Sequence, residues 1–225
     1  MKIQGATVLV TGGNRGLGRA LVQEFLDRGA KTVYAGARNP TTVTTPGASP
    51  LPLDVTDRES IDRAAAVAAD VDLLVNNAAI DVGARSFVDA DPAEIRREFD
   101  TNFFGPIDVV RAFVPVIARN GGGHVLNVAS VLAWLSLGGS YSASKAALWS
   151  MTNALRTELA PRQIGVTGLY VGYIDTDLAA RVTAPKSDPR DVARAAVDGI
   201  EAGAAEVLAD DITRTVKSAL AGDPS

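Results

Sequence analysis

Tyr141 and Lys145 stand four residues apart in the stretch Tyr141-Ser142-Ala143-Ser144-Lys145. On a helix that spacing puts both side chains on one face, within reach of each other. The residues between them are small, so a ligand can approach that face closely. A phenol titrates near pH ~10 and needs help to give or take a proton near neutrality. An ammonium about 4 Å away, at an effective dielectric of ~20, contributes about 4 kcal/mol, or roughly three pKa units before desolvation is set against it. The pair is therefore sufficient for acid/base chemistry. The same spacing also occurs at the solvated start of many helices, so its meaning depends on what else the chain carries.

A second stretch able to do chemistry is Thr11-Gly12-Gly13-Asn14-Arg15-Gly16-Leu17-Gly18. It follows an apolar, β-branched run at 6–11 and precedes helical spacing at Ala20, Leu21, Phe25 and Leu26. Strand, glycine-rich turn and helix together make a phosphate cradle, because glycine lets the backbone come close and the helix start offers N–H groups and partial positive charge. Gly12, Asn14, Arg15, Gly16, Leu17 and Gly18 are therefore candidate cofactor contacts. In dinucleotide folds an acidic residue about 20 positions further on takes the ribose hydroxyls. Here no acid lies between Lys31 and Asp54, and Arg38 stands twenty residues after Gly18. A guanidinium pairs with a 2′-phosphate that a carboxylate would repel, and Arg15 adds a second cation. The expected cofactor is NADP(H) rather than NAD(H).

Composition removes several other chemistries. The 225 residues include no cysteine, so disulfides, thiolate catalysis and Cys-ligated metals are excluded. A single histidine, His124, offers no metal cluster, and a Ser-His-Asp hydrolase would depend on it alone; no metal site is expected. A net charge of −4 gives no general electrostatic reason to bind nucleic acid or an anionic membrane. Without a long uninterrupted apolar run or a signal-like N-terminus, a soluble cytoplasmic protein is expected.

The positioning elements follow from periodicity and punctuation. Strands are expected at 6–11, 32–35, 51–55, 71–75, 124–130, 163–171 and 206–209, seven in all, in one domain over 1–225. Residues 39–50 are expected to form a loop. Thr56 or Asp57 caps a helix to about residue 69, Asp91-Pro92-Ala93-Glu94 starts one running to about 119, another spans 140–160, and Asp188 caps one to about 202. The tail 210–225 is expected to form a loose amphipathic helix. Asn102 falls mid-helix, where its poor propensity needs a reason. Alternation of this kind predicts an α/β fold, a Rossmann-type doubly wound parallel sheet, with the ligand at the strand C-termini. Thr11–Gly18, Asp54, the run Asn76-Asn77-Ala78-Ala79, Ser130 and residues 172–176 all fall on that edge, with Tyr141 just beyond.

These motifs together resemble the short-chain dehydrogenase/reductase family, in its short single-domain branch, over nearly the whole chain. Thr11-Gly12-x-x-x-Gly16-x-Gly18, Asp54-Val55, Asn76-Asn77-Ala78, Asn102, Ser130 and Tyr141-x-x-x-Lys145 carry the resemblance. It implies that Tyr141 is the general acid/base, Ser130 bonds the substrate oxygen, and Lys145 lowers the tyrosine pKa and holds the nicotinamide ribose. It implies further that Asn102 anchors a water in the proton relay and that Asp54 and Val55 sit by the adenine. Asn76 would order the central strands beside Ala78, and Ile174 and Thr176 would meet the carboxamide. The expected function is NADPH-dependent reduction of a carbonyl, reversibly to an alcohol. A catalytically idle NADP(H) sensor, or C=N or C=C reduction in the same cleft, are the alternatives.

Three departures from the family pattern bear on the site. Asn-Asn-Ala-Gly reads Asn-Asn-Ala-Ala at 76–79, Pro-Gly reads Val171-Gly172, and Ser130 lies eleven residues before Tyr141 where thirteen is common. Ser136 is a weaker substitute for Ser130. Val131, Leu132, Trp134, Leu135, Leu137 and Leu178 are expected to line an apolar entrance, with Arg85 and Arg181 as solvated rim residues. The substrate would then be an uncharged, apolar or aromatic ketone or aldehyde. The helix from 140 to 160 carries one stripe at Leu148, Met151, Leu155 and Leu159 and a small-residue face at Ala143, Ala147, Ser150 and Ala154. The second face suits a partner helix, and relatives pair this way, so a homodimer or homotetramer is expected.

Overall fold

The computed structural model describes residues 1–220. Seven parallel strands form one sheet: β1 (Thr7–Thr11), β2 (Thr32–Ala37), β3 (Ser49–Pro52), β4 (Leu73–Asn76), β5 (Gly123–Val128), β6 (Ile164–Tyr170) and β7 (Glu206–Leu208). Their order is β3-β2-β1-β4-β5-β6-β7. The chain order reverses at β1, which pairs with β2 on one side and β4 on the other. Such a reversal leaves a crevice beyond the strand C-termini, where the motifs of the sequence lie.

Helices cover both faces: α1 (Gly16–Asp27), α2 (Arg58–Val67), α3 (Pro92–Phe99), α4 (Gly105–Arg119), α5 (Ser140–Leu159), α6 (Pro189–Ala202) and α7 (Asp211–Ala219). Side-chain alternation along β1 divides the core. Val8 and Val10 join Leu21 and Phe25 of α1 and Val197 and Ile200 of α6, while Leu9 joins Ile61 of α2, Phe113 and Ile117 of α4 and Leu155 and Leu159 of α5. A sheet buried on both faces explains why its strands read as continuous apolar runs.

Asp57, Asp91 and Asp188 cap α2, α3 and α6, each accepting a backbone N–H. The third strand differs from expectation, lying at Ser49–Pro52 rather than at 51–55. It is the sheet edge, where Pro50 can sit without breaking a ladder. Asp54 instead closes a turn, accepting from the Thr56 backbone N–H at 2.9 Å and the Thr56 hydroxyl at 2.8 Å. The expected loop at 39–50 contains a 3₁₀ turn, Pro40–Thr42, capped by Asn39. Of the expected tail helix, α7 forms and residues 221–225 lie outside the described residues.

The helix starting at Pro92 runs to Arg119 through one π turn, Asp100–Phe104, with Asn102 inside it. It is apolar enough by length and composition to cross a membrane, with a mean hydropathy of 1.2 over its most apolar window and half of that window buried. Packing against the sheet accounts for that composition.

Candidate active site

The glycine turn joins β1 to α1, and its glycines are sterically required. Gly12 has φ +66°, and a Cβ there would lie 3.1 Å from Ala78 Cα. A Cβ on Gly18 would come within 2.0 Å of the Gly12 carbonyl oxygen. Arg15, the N-cap of α1, makes no side-chain capping bond, so no capping side chain takes up the N–H groups of the helix's first turn. That donor set fits a dinucleotide phosphate. Asn14 donates to the Thr42 hydroxyl at 3.0 Å, and half-buried Gly16 lies against Thr176, whose methyl would be 3.1 Å from a Cβ. Leu17 turns inward to the core.

Two polar braces hold the turn to the neighbouring strands. Thr11 donates its hydroxyl to Val75 O at 3.2 Å and accepts from the Asn77 and Ala78 N–H groups at 2.9 and 3.0 Å. Asn77 donates its side-chain amide to Thr11 O at 2.9 Å. Asn76 donates to Asn127 at 2.9 Å, and Asn127 donates to the Thr152 hydroxyl at 2.9 Å, tying β4, β5 and α5 together inside the core. Sequence reasoning missed Asn77 and Asn127, although Asn77 stands in the same Asn-Asn pair.

The two arginines differ. Arg15 pairs with Asp177 at 3.2 Å, both side chains largely exposed, so the pair contributes little to stability and is readily exchanged. Arg38 is exposed just past the end of β2 and has no salt-bridge partner among the described residues. Asp54 and Val55 follow β3, and Val55 is buried, with its carbonyl 2.9 Å from a Cβ built on Gly105.

Ser130 follows β5 in an extended conformation and is buried, its hydroxyl accepting from Leu132 N at 3.1 Å. Tyr141 and Lys145 occupy the first turns of α5. The Lys145 side chain crosses to β5 and donates from Nζ to Val128 O at 3.0 Å, with Nζ 5.7 Å from the Tyr141 ring centroid. Lys145 is only 3 % exposed, and burial pushes its ammonium down to about 8 against the opposing effect of Glu98. Burial pushes the half-buried Tyr141 phenol above its usual range, reinforced by the carboxylates of Asp81 and Glu98 and opposed by Arg85. Lowering of the phenol by Lys145 is not what this geometry displays, because the ammonium is turned to the Val128 carbonyl.

The π turn explains Asn102. Its side chain is fully buried, accepting from Ile80 N at 2.9 Å and donating to Ile80 O at 2.9 Å and to the Ser144 hydroxyl at 3.1 Å. A π turn widens the helix locally and recurs at functional sites. Ile174 pairs with Ser187 in an isolated bridge, and Thr176 precedes a short 3₁₀ turn, Asp177–Ala179, without capping it. Ser136 is exposed and has no strand end to hold it.

Two residues expected at the entrance, Trp134 in its wall and Arg85 on its rim, make contacts the sequence does not show. Trp134 lines a cleft of about 200 Å³ with Leu132 and Leu135, but its ring is held from the other side: it stacks on Tyr170 at 4.6 Å, meets Trp149 edge-on at 6.4 Å, and lies under Lys217 Nζ at 4.6 Å. Stacking and cation–π attraction hold it there. Arg85 is exposed, as expected of a rim residue, but it is tethered, pairing with Asp81 at 2.7 Å and donating to Gly138 O at 3.0 Å. Leu137 and Leu178 are exposed as an entrance requires. A cleft of about 560 Å³ at the opposite end of the sheet is lined by His124 and Arg156, among others, and contains none of the motif residues. There His124 bonds the Thr167 hydroxyl at 2.8 Å, and burial holds its imidazole near 4.

The sequence profile of the short chain dehydrogenase family matches residues 6–187. Ketoacyl reductase HetN of Nostoc sp. is 30% identical over 227 residues, covering 92% of this chain and 79% of that protein. The chain spans 61% and 62% of the length of two further relatives. A short chain dehydrogenase from Burkholderia cenocepacia, solved in complex with NADP, superposes with a TM-score of 0.94 at 38% identity, over 99% of this chain and 95% of that one. A 3-ketoacyl-(acyl-carrier-protein) reductase from Brucella melitensis, complexed with NADH, gives 0.85 at 27% identity, over 92% and 96%. A family profile matching most of the chain, on a parallel sheet with its polar motifs gathered at one edge, makes this protein a member of the short chain dehydrogenase family of oxidoreductases.

Proposed function

We propose that this protein is an NADP(H)-dependent reductase of uncharged, apolar or aromatic ketones and aldehydes, reversible to the alcohol, with Tyr141 as general acid/base. The observation that carries the reading is Lys145. An ammonium buried with one carbonyl partner costs free energy that the fold does not need to spend, and it lies beside Tyr141 and next to the strand end bearing Ser130.

Bound NADP(H) would supply or accept the hydride at the carbonyl carbon. The α1 N-terminus and the glycine turn receive the phosphates. Arg38, with no carboxylate beside it, receives the 2′-phosphate, and Arg15 can join by releasing Asp177. The NADP complex of the Burkholderia relative supports this preference. Thr176 and Ile174 flank the nicotinamide end, and Lys145 is placed to hold the ribose. Tyr141 gives the carbonyl oxygen its proton during reduction and takes it back during oxidation, while Ser130 donates a hydrogen bond to that oxygen. A phenol held above its usual range by burial is fully protonated at neutral pH, the form reduction requires. Asn102 keeps the segment after β4 in place across the cleft.

Tyr141→Phe tests the reading. It removes the proton donor and little of the binding surface, so turnover of NADPH with acetophenone should fall by about 10²-fold or more while NADPH affinity changes by less than about threefold. Near-native turnover would overturn the assignment.

A further inference from the structure

Asn102 is not alone in bridging the segment after β4 to the helix of Tyr141. One helical turn earlier, Glu98 makes the same kind of connection. Its side chain is 0 % exposed; one carboxylate oxygen accepts from Val82 N at 3.0 Å and the other accepts from the Ser140 hydroxyl. Asn102 joins Ile80 to Ser144, and Glu98 joins Val82 to Ser140. Both members of each helix pair are four apart, so the two connections run as parallel rungs, and Tyr141 sits between their ends on α5.

The surrounding backbone is built for this contact. Gly139, the N-cap of α5, has φ +59° and offers no side chain to the helix's first turn. A Cβ there would come 2.1 Å from Ala84 O, so glycine is what lets the 84–85 backbone close on the helix start. Ser140 N donates to Ala84 O at 3.0 Å, and Arg85 donates to Gly138 O at 3.0 Å. The buried carboxylate from α3 thus sits at the start of α5, bonded through the Ser140 side chain, at the helix end where negative charge is stabilised. Nothing in the reaction itself requires an acid at this position.

We propose that Glu98 is a positioning residue for Tyr141: through Ser140 it fixes the first turn of α5 against the segment 80–85. This rests on Tyr141 being the acid/base. The charged groups acting on Tyr141 are Asp81 and Arg85 from the segment after β4 and Glu98 from α3, with Lys145 beside it on α5.

Glu98→Gln keeps the size and hydrogen-bonding capacity and so serves as the conservative rescue of the rung. In Glu98→Ala kcat should fall about tenfold with the KM for NADPH changed by less than about threefold, and E98Q should recover most of that loss. An unmoved kcat in E98A, or a loss that E98Q does not recover, overturns the positioning role. Glu98→Ala removes the rung itself: amide hydrogen exchange should accelerate about tenfold in residues 80–85 and 140–145 together, with the rest of the sheet unchanged. Unchanged exchange in the first turn of α5, or acceleration spread over the whole domain, overturns the positioning role. Should E98A not fold, Ser140→Ala breaks the same rung and is read by the same exchange. Activity retained in Tyr141→Phe would remove the underlying reading, whereas activity lost there with Glu98 silent would remove this inference alone.

Discussion

Lys145 reaches from α5 to the end of β5 and donates its ammonium to Val128 O at 3.0 Å, two residues before Ser130. One hydrogen bond thus links three groups of the proposed mechanism: the helix of Tyr141, the strand end of Ser130, and a cation between them. It does so at a cost in stability, because the ammonium is buried without a carboxylate.

That cost is measurable. A lysine whose value is about 8 in the folded protein binds fewer protons than the unfolded chain between there and ~10.4. Stability therefore rises as pH climbs through that window, and the penalty below it is about 3 kcal/mol. Lys145→Met should abolish turnover yet raise stability by about 1–3 kcal/mol at neutral pH, after the lost hydrogen bond is deducted. Chemical denaturation near pH 7 and near pH 10 checks it: the gain shrinks at the higher pH. A variant less stable than wild type at both would mean the ammonium supports the fold.

Cofactor choice rests on Arg38. Charge-assisted hydrogen bonds contribute about 1.5–3 kcal/mol, so Arg38→Ala should weaken NADPH about ten- to a hundredfold and leave NADH nearly unchanged. Fluorescence titration with both nucleotides decides it, and equal losses would assign Arg38 to the fold.

Self-association follows from α5. Leu148, Leu155 and Leu159 are buried on the sheet, while Ser150 and Ala154 are exposed on the small-residue face. Phe104, at the end of the π turn before α4, is 52 % exposed. These surfaces suit a second copy, and light scattering at micromolar concentration should return a dimer or tetramer mass. A monomer would mean that both faces are satisfied within one subunit.

Substrate preference follows from the entrance. Leu137 and Leu178 are exposed, and Arg85 is held by Asp81 and so is not free to clamp an anion. An aryl ketone should exceed a 2-keto acid of similar size in kcat/KM by about tenfold or more, since burying a phenyl-sized group contributes about 1.5–3 kcal/mol. The reverse order would mean that Arg85 leaves Asp81 to bind the acid.

Local patterns carry what local physics determines. The glycine turn was legible because only glycine fits where Gly12 and Gly18 pass close to other backbone, and the caps at Asp57, Asp91 and Asp188 because an Asp before a helix satisfies nearby N–H groups. Continuous apolar strands alternating with helices implied the doubly wound sheet, since each strand must be buried on both faces. That Tyr141 and Lys145 share one face at the start of a helix was legible as a spacing.

What surrounds that pair comes from residues distant in sequence, and only the tertiary structure decided it. Glu98, in Arg96-Arg97-Glu98, reads as a solvated helix charge until α3 packs against α5 and buries it on Ser140. Trp134 reads as a wall residue only, yet Tyr170 and Lys217 hold its ring from the other side. Lys145 reads as a cation aimed at its tyrosine until β5 offers a closer partner in the Val128 carbonyl. Periodicity tells which face of an element is apolar; the partner that a buried polar group finds depends on which other element packs there, and no local pattern records that.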